Sequence, residues 1–440
     1  MNNKKSKFSC DNAMAYNLLA IGPIFAITIF IAMGGLSCKA ANQSSEIVSD
    51  SEISLALETQ LLLEESVPSH RLEIKTLEGI VTITGEIENL LAKHRAAEIA
   101  STLRGVRAVV NNILVNPRPR PDQEIKKDIK SAFLNDPAIE LSDLEVELSN
   151  GIVTLSGIVQ SRQERELAGE IAAGIKGVRD INNQIAIKYS LSRSDKEMEE
   201  DIRRRLKSDV WVDAGFIQVE VTDGQAVLSG LVGSLAEKRS ARSDAWVAGV
   251  TDVYVDNLEI NWEIRDSLQR TRKYEPLDDE QIRQAVKDAL RLDPRVSEDD
   301  IEVQVEEHAV RLNGSVKSLR GRKAAYSDAR NTTGVTIVYN NLQVNPFEIP
   351  ENRVLEERVR AALSRDPYVE LLDIYISVVN GKVYMEGDVN NSFEKRQAET
   401  VASRVDGVVD VINMLDYDYE WRPKQDRKPV SYTHLTLPTN

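Results

Sequence analysis

One pattern of hydrophobic and polar positions runs through the chain five times, and its second occurrence reads most cleanly. Ile125, Ile129, Ala132 and Phe133 recur at helical spacing, and Asp136-Pro137 stops that helix. Leu144, Val146 and Leu148 then alternate with polar residues, as in a half-buried strand. Asn150-Gly151 supplies the positive φ of a tight hairpin turn, and Ile152 to Val159 return as a second strand. Gln163 to Ile175 form a second amphipathic helix with Ala168, Ile171, Ala172 and Ile175 on its apolar face. Val178 to Ile187 close the unit as a third strand, giving the order α-β-β-α-β.

Glycines carry the register from copy to copy. The strand glycines Gly85, Gly157, Gly230, Gly314 and Gly387 are spaced by 72, 73, 84 and 73 residues. Gly105, Gly177, Gly249, Gly334 and Gly407 each precede a valine and follow the strand glycine by 20 residues, or 19 in the third copy. Turn glycines stand six residues before the strand glycine, at Gly79, Gly151, Gly224 and Gly381. These glycines are expected to serve turn geometry and close helix–sheet packing rather than a ligand loop. His308 takes the turn place in the fourth copy, where a looser or differently turned hairpin is expected.

The fold class is therefore α+β: five tandem α-β-β-α-β modules, each a three-stranded mixed sheet with two helices on one face, preceded by a signal peptide. The boundaries read as 1–37 signal peptide, 38–50 polar linker, and copies at 51–117, 121–189, 194–262, 278–346 and 351–418. A charged linker, 263–277, separates the third copy from the fourth and is the expected hinge, dividing three copies from two. A tail spans 419–428. A module of roughly 65–70 residues buries only about 60% of its unfolded surface, so neighbouring copies are expected to pack together.

The two ends stand apart from the repeat. Lys4, Lys5 and Lys7 precede the uncharged run Leu18 to Leu36, and Cys38 follows it. Cleavage before Cys38 resembles the processing of bacterial lipoproteins, in which that cysteine carries the lipid, although Gly35 stands where those proteins usually have leucine. Cleavage after Ala40 and a single N-terminal transmembrane anchor are the alternatives. The only other cysteine, Cys10, precedes the apolar run, so no disulfide is expected within one mature chain. Residues 429–440 resemble the translated read-through of a sequencing adaptor, in which case His434 carries no chemistry.

The stretch Asn150-Gly151-Ile152-Val153-Thr154-Leu155-Ser156-Gly157-Ile158-Val159, then an alanine-rich helix and Gly177-Val178 with Ile181-Asn182-Asn183, resembles the BON domain. Asn111-Asn112, Asn257, Asn340-Asn341 and Asn413 repeat the asparagine of the last strand. The resemblance implies a non-catalytic protein of the periplasm, membrane-tethered, that binds phospholipid surface or envelope proteins and is linked to envelope integrity or osmotic stress. The module order also resembles the ring-building domains of secretion machines, which implies an oligomeric interaction scaffold as the second reading.

Charge and chemistry narrow the picture further. A formal charge of −15 argues against nucleic acid as a partner. His70, His94 and His308 fall in separate contexts without a metal-ligand spacing, and no nucleophile elbow, phosphate loop or dinucleotide fingerprint occurs. No catalytic residue, metal, cofactor or small-molecule substrate is expected. One basic stretch stands out: Lys317, Arg320, Arg322, Lys323 and Arg330, along the second helix of the fourth copy, are the candidate lipid-headgroup contacts. Their alternative is an ordinary solvated face. Trp246 is expected in the core of the third copy.

Overall fold

A computed structural model describes residues 48–138, 144–189, 193–262, 277–296, 300–369 and 371–417. The signal segment, Cys10, Cys38, the 263–276 part of the charged linker and the 418–440 end lie outside them.

Each copy forms the unit its pattern predicts. In copy 1 the first helix, Asp50–Leu63, starts at a Ser49–Glu52 capping box and buries Ile53, Leu57 and Leu61. The strands Leu72–Leu77 and Ile80–Ile87 form the hairpin, the second helix is Leu90–Thr102, and the strand Ala108–Val115 closes the sheet. The hairpin is antiparallel and the closing strand runs parallel to its second strand, which is therefore central. In every copy the first hairpin residue lies opposite the strand glycine: Leu72 with Gly85, Leu144 with Gly157, Ile217 with Gly230, Ile301 with Gly314 and Ile374 with Gly387. The glycine is required there. At Gly387, with φ +123°, an added Cβ would lie 1.9 Å from the Asp373 carbonyl oxygen.

The fourth hairpin corrects the expectation of a looser turn. Strands Ile301–Glu306 and Ala309–Val316 keep the register of the other copies. His308 enters the left-handed region at φ +65°, after Glu307 at +49°. What holds it is a clamp. The Asp279 carboxylate, at the start of the first helix (Asp279–Leu292), accepts the main-chain N–H groups of Glu307 and His308, both at 2.9 Å. Asp50, Asp122 and Asp195 grip their own turns in the same way, and Asn352 accepts from Asn380 at 3.0 Å.

The repeated asparagine has a structural role as well. Asn111, Asn183, Asn340 and Asn413 each donate a side-chain N–H to a carbonyl of the second helix, at Lys93, Arg165, Arg322 and Lys395, over 2.7–2.9 Å. Each also accepts the main-chain N–H two residues on. One side chain thus fastens helix to closing strand.

Copies are not independent beads. Copies 1 and 2 share one continuous core, and Leu319 of copy 4 sits in the core of copy 5. Copies 2 and 5 meet through reciprocal main-chain bonds: Lys176 N–H donates to the Arg365 carbonyl at 2.8 Å, and Asp406 N–H to the Asn135 carbonyl at 2.9 Å. Donor and acceptor hold the same place in each module, before the Gly-Val pair and at the end of the first helix. Copies 3 and 4 use the same edge, Thr333 N–H donating to the Ser208 carbonyl at 2.9 Å. Here Val210 adds a second bond, to the Asn331 carbonyl at 3.3 Å, where Pro137 and Pro367 have no N–H to give. The return bond to Leu292 is absent among the described residues, in the copy whose Gly-Val pair comes one residue early.

Copy 4 therefore packs on copy 3 across the charged linker, and on copy 2 through the buried ion pair Arg320–Asp136. The division into three copies and two does not hold. Trp246 packs against the core of copy 3 as expected, but it is only half-buried and faces copy 2, with the Arg162 guanidinium 4.7 Å from its ring centroid.

Candidate functional site

The basic helix of copy 4, Leu319–Arg330, is where a headgroup contact was expected; the fold buries one of its cations and pairs others with acids. Arg320 is buried against Asp136. Lys323 Nζ lies 2.7 Å from Glu399 and Arg322 3.7 Å from Asp410, both acids of copy 5. Lys317 lies 3.6 Å from Asp300 and stacks over Phe347 at 5.0 Å. Arg330 is exposed. The five cations do not form one solvent-facing patch, because four of them meet acids and three of those four do so across joints between copies.

A different site emerges at the junction of copies 2, 3 and 4, where a cavity of about 430 Å³ opens. Its walls carry Asp209 and Asp244 of copy 3 and Asp293 and Asp328 of copy 4. Asp209 and Asp293 each follow the first helix of their copy, and Asp244 and Asp328 each stand fourteen residues after the strand glycine. That second position holds the buried aliphatics Ile99, Ile171 and Val401 in the other copies. Two copies have exchanged a core side chain for a carboxyl group, and these two face one cavity.

Such exchange shifts the protons. Burial pushes Asp244 up to about 8, with Asp209 beside it adding to the effect and Arg205 opposing it. Burial and the neighbouring Asp293 push Asp328 up to about 8 as well. Burial also works against ionised Asp293, but the Arg295 guanidinium, 2.8 Å away, outweighs it and holds this carboxyl below its usual range. Glu170, on the copy 2 wall, is raised by burial despite Arg320, Arg295 and Arg404. Asp328 is thus raised beside an Asp293 held low, and Asp244 is raised to the same range, so the site can take up and release protons. Among the described residues no group of His, Cys, Asp or Glu has the arrangement of a metal site.

Sequence reasoning missed this site. Its signal was present in the repeat: aspartate at a position that is aliphatic in three copies of five.

Both the three-stranded mixed sheet and the five-fold register define a protein of tandem α+β modules. The chain belongs to the BON domain family, whose model matches residues 49–117, 121–189, 194–261, 278–346 and 352–419. It is similar to osmotically-inducible protein Y of Escherichia coli, 32% identical over 142 residues that cover 31% of this chain and 71% of that one. It is also similar to the outer membrane lipoprotein DolP of Haemophilus influenzae, 28% identical over 146 residues that cover 32% and 75%. A solved C-terminal domain of CdsD, the structural protein of the type III secretion system of Chlamydia trachomatis, aligns with 47% of this chain and 96% of its own, at 15% identity and a TM-score of 0.13. Among the described residues no helix is long and apolar enough to cross a membrane.

Proposed function

We propose that this chain is a non-catalytic envelope protein, tethered through a lipid on Cys38, whose BON modules bind phospholipid surface or envelope proteins through several weak contacts. Membership of the BON family and likeness to an osmotically inducible protein and an outer membrane lipoprotein support this reading.

The observation that carries it is the outer face of the sheets. Opposite the helices, copy 1 exposes Leu77, Ile80, Val110 and Leu114, copy 2 Ile152 and Ile158, copy 4 Ile337 and Tyr339, and copy 5 Tyr375, Val379 and Met414. Repeated apolar surface of this kind supports contact with a membrane or partner, and several weak contacts on one body add by effective concentration. Flotation of the fragment from Gln43 to Lys428 with vesicles, zwitterionic and anionic, at low and high salt tests it. Failure to float in every condition removes the lipid half of the reading and leaves protein partners.

A further inference from the structure

Four copies pair edge to edge inside the chain, 2 with 5 and 3 with 4, and copy 1 is left over. Where the paired copies have Asn135, Ser208 and Arg365 at the edge, copy 1 has Leu63, which is 78% exposed and follows Leu62 at 75%. Leu55, two turns earlier, is exposed too. This helix thus carries three exposed leucines, beside Glu58 and Thr59, away from its core residues Ile53, Leu57 and Leu61. Large aliphatic side chains gathered on one exposed side of a helix suit contact with a partner.

The loop after the helix is already arranged for such a partner. In copy 2 this loop takes two contacts at once: Arg320 of copy 4 on Asp136, and the pairing bond from copy 5 on Asn135. In copy 1 the first has its counterpart, since Ser392 and Phe393 of copy 5 donate to the Glu65 carboxylate at 2.8 and 2.7 Å. No described residue of another copy donates to the Leu63 carbonyl. Glu65 also stands where copies 2, 4 and 5 have proline. Like Val210 of copy 3, it therefore carries the N–H that adds a second bond.

We propose that copy 1 pairs with copy 1 of a second chain, forming across a two-fold axis the contact that copies 2 and 5 form within the chain. Such an interface is isologous, so each helix end supplies the same groups to the other. The helix has no lysine or arginine to meet an anionic headgroup layer. Four acids of the helix and the loop after it are occupied at home: Asp50 clamps a turn, Glu52 caps, Glu64 pairs with Arg95 and Glu65 holds copy 5, while Glu58 is exposed. Two such helices meet through Leu55, Leu62 and Leu63. This pairing is independent of lipid binding by the sheet faces.

Photo-crosslinking of the full chain in cells, with benzoylphenylalanine at position 63, tests it. The expected product is a homodimer of twice the monomer mass. Leu62→Arg in the same chain reduces that product by about tenfold or more, as loss of an interface anchor does. Benzoylphenylalanine at Leu134, equally exposed but in a copy already paired, gives no dimer. An adduct with lipid, with another protein or with the chain's own N-terminal segment, or no adduct from a chain with an unchanged melting curve, overturns the proposal.

Discussion

Arg320 of copy 4 and Asp136 of copy 2 form an ion pair with side chains 10% and 4% exposed, and so hold together two modules far apart in the sequence. A charge so enclosed is tolerated only beside its partner. Arg320→Ala or Asp136→Ala alone should cost about 3–5 kcal/mol, by leaving the other charge buried and uncompensated. The double exchange Arg320→Ala with Asp136→Ala should cost clearly less than the two single changes added together. Urea unfolding of the four proteins gives the coupling, and additive losses would mean that the pair is not a unit.

The cavity carboxyls make stability depend on pH in a stated direction. Asp244 and Asp328 rise from an ordinary 3.8 to about 8, so the folded protein holds their protons more tightly than the unfolded chain. Their contribution is full below about pH 4, declines as pH rises toward 8, and is absent above it, by at most about 1.4 kcal/mol per pH unit for each group. Arg204, Arg205, Arg295, Glu166, Glu170, Asp209, Asp288 and Asp293 share the cavity and moderate that slope. Asp244→Asn with Asp328→Asn removes the titration. The stability of this variant relative to the parent should therefore climb between pH 5 and pH 8, and a flat difference would count against shared protons.

His308 pays for its left-handed turn with backbone strain of roughly 1–2 kcal/mol. His308→Gly should accordingly raise the melting temperature. Gly381→His, the opposite exchange in copy 5, should lower it by more, because a Cβ there would also lie 3.0 Å from the Gly407 carbonyl oxygen. Equal and opposite shifts would show that the contact is irrelevant.

The asparagine doublet separates into one structural and one surface residue. Asn111→Ala should cost about 1–2 kcal/mol, since it frees a half-buried carbonyl and loosens helix from strand. Asn112, on the outer sheet face, should change stability by no more than about 0.5 kcal/mol. Thermal unfolding of the two variants distinguishes them.

Much of the fold was legible because its determinants are local. Ile125, Ile129 and Phe133 have helical spacing, Asn150-Gly151 has turn chemistry, and Gly157 recurs at a fixed place; all three report on backbone within a few residues. The Asp279 clamp lies 28 and 29 residues from the groups it binds, so no local pattern announces it. The cavity was less legible still. Asp244 reads as an ordinary helix-surface acid until the copies are aligned and Ile99, Ile171 and Val401 appear opposite it. The pairing of the basic stretch was hidden for a related reason: Lys323 and Arg322 look unpaired within copy 4, while Glu399 and Asp410 come from copy 5.

The pairing of 3 with 4 and of 2 with 5 is nested, like brackets within brackets. A chain that emerges from its N-terminus completes the inner pair when copy 4 arrives, while the edge of copy 2 waits for copy 5. Truncation after copy 4 uncovers the Asn135 carbonyl and the Lys176 amide together, beside the already exposed Leu134. If copy 1 pairs between chains as proposed, a shortened chain offers a second open edge and should link into filaments, which would make the last copy a terminator of assembly.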